Sequence, residues 1–511
     1  MQMISKKMYC DVAIVGGGVS GISAAISASR RGLKTIIFEK GTSLGGLATN
    51  GYVPQVAGMI EGNCKEYVLR MEADGELMRR SPVDDHNPTF DPEYGKFMFE
   101  QMVMERGGRI IYDATCIDVE MDGNIIKAAI FYTKGGWMAV YANMFIDGTG
   151  DADLATLAGV PYEVGGADFA GLNMSTTLGS RWSRTNVAKY REANAAWMKE
   201  QADKGVPEAK RVSLIHDAEG RAIEAGDLSR HFTPASGLFQ IILPLYPEES
   251  ADWVTFAFHS YYTNNDDVED ISRQILEQHM QMRVYEKFLQ KYVPGYEDAN
   301  LTGIGSIPGV RDSRRPFGEY MLKASDVICG TKFEDGIARF PEMLDTHHPT
   351  SHRHIFMRHG HIMEQAGSAV VREPDCDVEM HPFVRPAGLE ARPDPRDYCD
   401  IPYRSLVPLV VDNLFVVGRC CSAEFHANGA MRIIGPAMGT GQAAAVAADY
   451  ALKKKVIPRD IDGRDVRKAM IEEEGVELDK LPDGYWADLR AREGDMIVPP
   501  FGDMIAIVPK K

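Results

Sequence analysis

The chain has 511 residues, enough for roughly two to four domains and an ample core. Its 56 Lys and Arg stand against 73 Asp and Glu, a net charge of −17, so a nucleic-acid backbone or an anionic membrane surface would be repelled. The eight cysteines form no C-x-x-C pair, which fits reduced thiols in a cytoplasm better than a zinc or iron–sulfur framework.

The opening "MQMISKKMYC" runs straight into an apolar strand and is read as carrying no signal peptide. No stretch reaches the roughly 18 apolar residues of a membrane span. Next, "DVAIVGGGVSGISAAISASRRGLKTIIFEK" reads as strand, glycine turn, helix and second strand. Gly16 permits the sharp turn, Gly18 lets the backbone approach a pyrophosphate, and Gly21 lets the helix lie against the strand. Glu39, 18 residues after Gly21, sits where a carboxylate can accept from adenosine ribose hydroxyls and would repel a 2′-phosphate. A chance glycine turn would lack the strand before, the helix after and the acid beyond. NAD and FAD both use this unit. The second glycine pair, Gly45-Gly46 in "GTSLGGLATNG", favours FAD, because an extended cofactor runs on past the pyrophosphate.

The stretch "GNCKEYVLRMEADGELMRR" reads as helical. From Gly107 the pattern alternates and predicts about four short strands, with turns at "MDGN" and "TKGG", ending at Asp147-Gly148-Thr149-Gly150-Asp151. Residues 161–399 change character, with amphipathic helices, strand-like pieces and a polar tract of His, Arg and Pro, and are read as an inserted α+β substrate domain. Nucleotide-domain texture returns at 400–457, with a strand at Leu414 to Val417, a turn at Gly418 and Gly439-Thr440-Gly441 opening an alanine-rich helix. The fold expected is therefore α/β, a Rossmann-like domain assembled from residues 1–160 and 400–457, followed by a C-terminal extension, 458–511.

The stretches "VGGGVSGISAA", "FEK", "SLGGLATNG", "DGTGDADLATLAG", "VRDSRRPFGEYML", "IPYRSLVP", "NLFVVGR" and "GAMRIIGPAMGTGQAAAVAA" resemble the FAD-dependent oxidoreductase family of the glutathione-reductase-like flavoprotein superfamily. The resemblance implies a glutathione-reductase-type FAD domain. It places Gly16, Gly18 and Gly21 at the pyrophosphate and Glu39 at the adenosine ribose, with Ser20 and Lys40 also among the cofactor-binding residues. It puts Gly45 and Gly46 along the path to the ribityl chain and Asp147 and Gly150 near the adenosine half, and Leu47, Ala48 and Thr49 are cofactor-binding candidates beside them. Gly418 and Arg419 would flank the phosphate and ribityl groups, and Gly439, Thr440, Gly441 and Gln442 would present a helix N-terminus to the flavin ring. The chain departs from the family pattern at "DGIARFPEMLDTHHPTSHRHIFMRHGHIMEQ", which has Phe340-Pro341 and then a longer insertion.

Candidate chemistry lies at two places. His426 and Arg432, between the Gly418 turn and the alanine-rich helix, are the acid/base and anion-stabilising candidates; for each, a structural pairing is the rival reading. His347, His348, His352, His354, His359 and His361, with Arg353 and Arg358, fit a polar surface loop, a substrate pocket or, without firm ligand spacing, a metal site; no metal is expected. Arg358, His359, His361 and Arg314 are taken as substrate candidates, while Arg311, Arg314 and Arg315 also suit salt bridges between segments. Cys420-Cys421 is read as core packing. No second strand, G-x-G-x-x-G and helix unit is present, since "GIGSIPG" has the wrong spacing. Electrons must then come from the substrate or an external donor or acceptor. The expected function is hydride transfer between flavin N5 and a small polar molecule such as a sugar, hydroxy acid or enoate. The rivals are a redox-neutral FAD-containing hydratase, isomerase or lyase, and a flavin electron-transfer subunit. A homo-oligomer stays open.

Overall fold

The computed structural model describes residues 4–78, 88–206, 214–228, 243–244, 252–340, 344–350, 354–358, 361–365, 398–479, 496–497 and 508–509. Strand β1, Lys6–Val15, runs parallel to β2, Thr35–Phe38, on one side and to Gly136–Asp147 on the other. Arg109–Ile111 pairs parallel outside β2, and Leu414–Val416 pairs parallel with the end of Gly136–Asp147. Ile125–Thr133 and Thr115–Asp122 extend the sheet antiparallel. The four strands expected after Gly107 are thus all present, and the sheet is mixed in a Rossmann-like α/β arrangement.

Position in the sheet explains the sequence pattern. Val12 to Val15 is a continuous apolar run because the end of β1 is covered on both faces. Helix α1, Val19–Arg30, buries only small and aliphatic residues from Ser20 to Ser29, which lets it lie directly on the alanine-rich helix Ile434–Lys454. At their crossing a Cβ on Gly441 would strike the Ser20 carbonyl. The two ends of the chain therefore share one core.

That core takes in more chain than the sequence suggests. Leu322, Ala324, Val327, Ile337, Ala338 and Phe340 belong to it, within the segment assigned to the inserted domain. Gly336–Phe340 is stitched antiparallel to Cys399–Pro402. Beyond residue 457, Ile461, Val466, Ala469, Met470, Val476 and Leu478 also join it, so the start of the expected extension is a buttress. Arg31 fixes it there, bonded to Asp449 at 2.7 Å, Glu473 at 2.5 Å and Glu474 at 3.1 Å.

Residues between 178 and 299 form a separate core. Strands Leu243–Pro244, Trp253–Ser260, Thr176–Ser183 and Asn300–Ile304 form an antiparallel sheet in that order. The 25-residue helix Val268–Tyr292, capped by Asp267, packs on it. Trp182 stacks on Trp253 with centroids 5.4 Å apart, beside Phe258, Tyr285 and Phe288. Among the described residues, no helix is long and apolar enough to cross a membrane.

Candidate cofactor and active site

The first glycine turn has the geometry of an anion seat. Gly16 has φ +99°, and a Cβ there would stand 2.6 Å from the Gly148 carbonyl, so no other residue fits. A Cβ on Gly21 would strike the Gly16 carbonyl oxygen. Gly18 differs: its Cβ would meet only the Gly148 oxygen at 3.6 Å, leaving that side open. Gly18 is also the N-cap of α1, with no side-chain cap and no acid in the first turn, so the N-terminal amides remain for a ligand. The second glycine loop packs directly on this seat. The Gly45 amide donates to the Gly17 carbonyl at 2.8 Å, and a Cβ on Gly46 would lie 3.1 Å from Gly18 Cα.

Glu39 closes the seat. Its two carboxylate oxygens accept from the Gly17 amide at 2.7 Å and the Gly41 amide at 2.6 Å. A carboxylate has about four acceptor positions, so two remain for ribose hydroxyls. Lys40 is exposed at the rim and its charge helps to hold Asp151 ionised.

Several assignments change. Asp147 is fully buried and its carboxylate accepts from the Thr149 amide and hydroxyl and the Ala155 amide. It braces the turn rather than a ligand, and burial pushes its carboxyl up to about 6 despite those donors. Thr49 is buried and donates to the Leu44 carbonyl at 2.6 Å, so it ties its own loop. The alanine-rich helix begins at Ile434, so Gly439 to Gln442 lie more than a turn inside it and cannot form its N-terminus. They pack and brace instead. Gly439 abuts Ala338, Thr440 accepts from the Gly418 amide at 2.9 Å, and Gln442 accepts from the Asn63 amide at 3.0 Å. The signal for the true start was Pro436, which belongs in a first turn where its missing N–H is not needed. That first turn carries no acid and no side-chain cap, and the Gly435 amide donates to Ala57, just past the second glycine loop.

Arg419 lies against Gly150, where a Cβ would meet its Nη2 at 2.7 Å, and pairs with Asp151 at 2.9 Å. Asn428 donates to the Arg419 carbonyl at 2.6 Å, while its buried Oδ1 has no donor among the described residues. Two uncapped helix starts, an open face at Gly18 and an orphaned buried acceptor along one path fit an extended dinucleotide.

Where the cofactor core meets the inserted region, histidines and arginines converge. Arg432 is held by Asp345, accepting at its carboxylate at 2.5 Å and its carbonyl at 2.7 Å, and the Arg432 Nε is buried without a partner among the described residues. Asp345 also lies 3.2 Å from His347 Nε2. His347 stacks with His259 at 5.7 Å, and His259 Nε2 is 3.3 Å from Arg311 Nη2. His426 Nε2 lies 3.5 Å from Asp168, and burial holds this imidazole below its ordinary pKa while the Asp168 carboxylate opposes the shift. Phe169 joins the two groups, edge-on to His426 at 6.2 Å and to His348 at 4.9 Å.

Thus His426 and Arg432 come to the same junction as His347 and His348. Arg314 does not join them, being paired with Asp153 and with Asp266 at 3.4 Å, which realises the salt-bridge reading. His359 and the side chains of Arg358 and His361 lie outside the described residues. Asp168, His259 and Asp345 were not singled out from sequence. His259 alternates within an apolar strand and Asp345 merely precedes the histidine tract, so only tertiary pairing reveals them. Cys420 and Cys421 are both free and buried, their thiols pushed up by burial. Among the described residues no three His, Cys, Asp or Glu are grouped to hold a metal ion.

The chain is similar to several known proteins. A family model described as FAD dependent oxidoreductase matches residues 11–470. Thiamine thiazole synthase of Sulfolobus acidocaldarius is 30% identical over 119 residues, 23% of this chain and 43% of that relative, so the match spans less than half of the relative's length. A geranylgeranyl bacteriochlorophyll reductase-like structure from Thermoplasma acidophilum aligns over 95% of this chain and 87% of its own, at 13% identity and TM-score 0.42. The p-nitrophenol 4-monooxygenase of Pseudomonas putida aligns over 95% and 89%, at 8% identity and TM-score 0.41.

Proposed function

The chain belongs to the FAD-dependent oxidoreductase family, and from that premise we propose that it exchanges a hydride with a small polar molecule held at the junction of His426, Arg432 and His347. Bound FAD supplies the hydride acceptor or donor at N5. The protein supplies the proton chemistry. The observation that carries this reading is the convergence on one short segment, Asp345 to His348, of Arg432 through Asp345 and of His426 through Phe169.

In the oxidative direction His426 takes the hydroxyl proton of the substrate onto its ring as the C–H hydride departs. Its low pKa keeps the ring neutral and ready at neutral pH, and Asp168 answers the positive charge that appears. Arg432, fixed by Asp345, turns its Nε–H to the developing oxyanion. Reduction of an activated double bond uses the same groups on different atoms: hydride goes to the β-carbon, Arg432 meets the enolate oxygen, and protonated His426 returns a proton to the α-carbon. Electrons leave or enter through an external carrier, since the sequence has no second dinucleotide turn. The test is anaerobic addition of sugars, hydroxy acids and enoates to the holoprotein. Loss of flavin absorbance with one class supports the reading; product formation with an unchanged flavin spectrum would establish the redox-neutral alternative.

A further inference from the structure

Arg311 is about nine-tenths buried, 7% exposed, yet no carboxylate among the described residues lies within ion-pair distance of it. Among the described residues its two hydrogen-bonding contacts are the Ser175 carbonyl at 2.5 Å and His259 Nε2 at 3.3 Å, neither of them a carboxylate. The nearest acids are committed elsewhere. Asp345 holds Arg432, and Asp312 accepts from Arg315 at 3.1 Å, Asn173 at 2.8 Å and the Met174 amide at 2.7 Å. A buried guanidinium without a counter-ion is expensive, because desolvation is not offset by attraction. Burial first, and repulsion by Arg432 second, push it down to about 9 from 12.5, with Asp345, Tyr261 and Asp312 opposing.

Arg311 is also placed for use. Through His259 and His347 it connects to Asp345 and Arg432, so it stands in the same junction as the proposed proton-transfer groups. We infer that Arg311 is the counter-ion of a carboxylate borne by the substrate, with His259 holding its fork in place. This rests on the junction being the substrate site. One unpaired planar guanidinium matches one planar monoanion, and two parallel N–H bonds to a carboxylate are the strong form of that pairing. A phosphate dianion would bring a second charge, and the other arginine of the junction, Arg432, is already paired with Asp345.

The test is a titration of the oxidised holoprotein, without turnover, with propionate, propionamide and inorganic phosphate, read by the flavin difference spectrum and the unfolding midpoint. Propionate is expected to bind saturably, about tenfold or more tighter than propionamide, and to raise the midpoint; phosphate is expected to do neither. Equal affinity for propionate and its amide overturns the inference, and tighter binding of phosphate overturns the carboxylate assignment. Arg311→Gln is expected to abolish the preference for propionate over propionamide. If that variant does not fold, the wild-type comparison still decides. Should the anion preference be absent while a neutral substrate still bleaches the flavin, this inference fails and the proposed hydride transfer stands.

Discussion

Gly18 and Gly21 stand three residues apart on one turn and make opposite demands. A side chain on Gly18 enters the open side, 3.6 Å from its nearest atom, whereas one on Gly21 strikes the backbone of Gly16. Gly18→Val is therefore expected to yield a folded, colourless protein with wild-type circular dichroism, and Gly21→Val a protein that does not fold at all. Yellow Gly18→Val protein would remove the pyrophosphate from this turn. His426 carries a pH signature. Because burial lowers its pKa, the rate of substrate-dependent flavin reduction should hold to below pH 6.5 before falling, and Asp168→Asn, which removes an opposing carboxylate, should move that fall to still lower pH. His426→Ala is expected to slow this reduction about a hundredfold or more with FAD still bound. At this scale the sequence was legible where sterics alone select the residue, as at Gly16, and misleading where partners decide. A carboxylate beside glycines looks the same whether it faces a ligand or, like Asp147, three backbone and hydroxyl donors of its own turn.

Elements were read well by periodicity and poorly at their ends. The alanine-rich helix was recognised but started five residues late, because glycines were taken as a boundary when Gly441 serves the crossing with α1 and Gly439 the contact with Ala338. The helix Gly463–Glu472 looked like a polar tail, yet it docks through a buried charge network in which Arg31 is 8% exposed, Asp449 0% and Glu474 1%. Breaking one partner of a buried network costs about 3–5 kcal/mol. Arg31→Ala is expected to lower stability to chemical denaturation by that order, and a change under 1 kcal/mol (about a fivefold shift in the folding equilibrium) would mean the buttress is held by packing alone. Helix Leu214–Glu224 brings Glu219 into the inserted core, where burial raises its carboxyl to about 8, with only the Tyr285 hydroxyl at 3.5 Å opposing. The folded state therefore binds the proton more tightly than the unfolded state. Stability from this group is full below pH 4.5 and is lost as pH rises through about 8. Glu219→Gln should remove that slope and be the more stable protein at pH 9 in denaturant titrations.

For the whole molecule, a core shared by both ends of the chain was visible in the recurrence of strand, glycine turn and small-residue helix. The extent of that core was not, because residues 322–340 and 458–478 enter it by long-range packing with no repeat of the motif. The junction that holds His426, Arg432, Asp345 and Arg311 was legible only in part, since its members come from four separate stretches of chain. With one dinucleotide turn in the sequence, NADH and NADPH are expected to reduce the flavin slowly and without saturation, and rapid saturable reduction by either would locate a nucleotide site in the inserted region. The most direct measurement of hydride transfer is the rate of anaerobic flavin bleaching by a substrate carrying deuterium at the reacting carbon. Bleaching that is slower with deuterium than with hydrogen is the expected result, and bleaching at equal rates, or turnover with no bleaching, would contradict hydride transfer at this site.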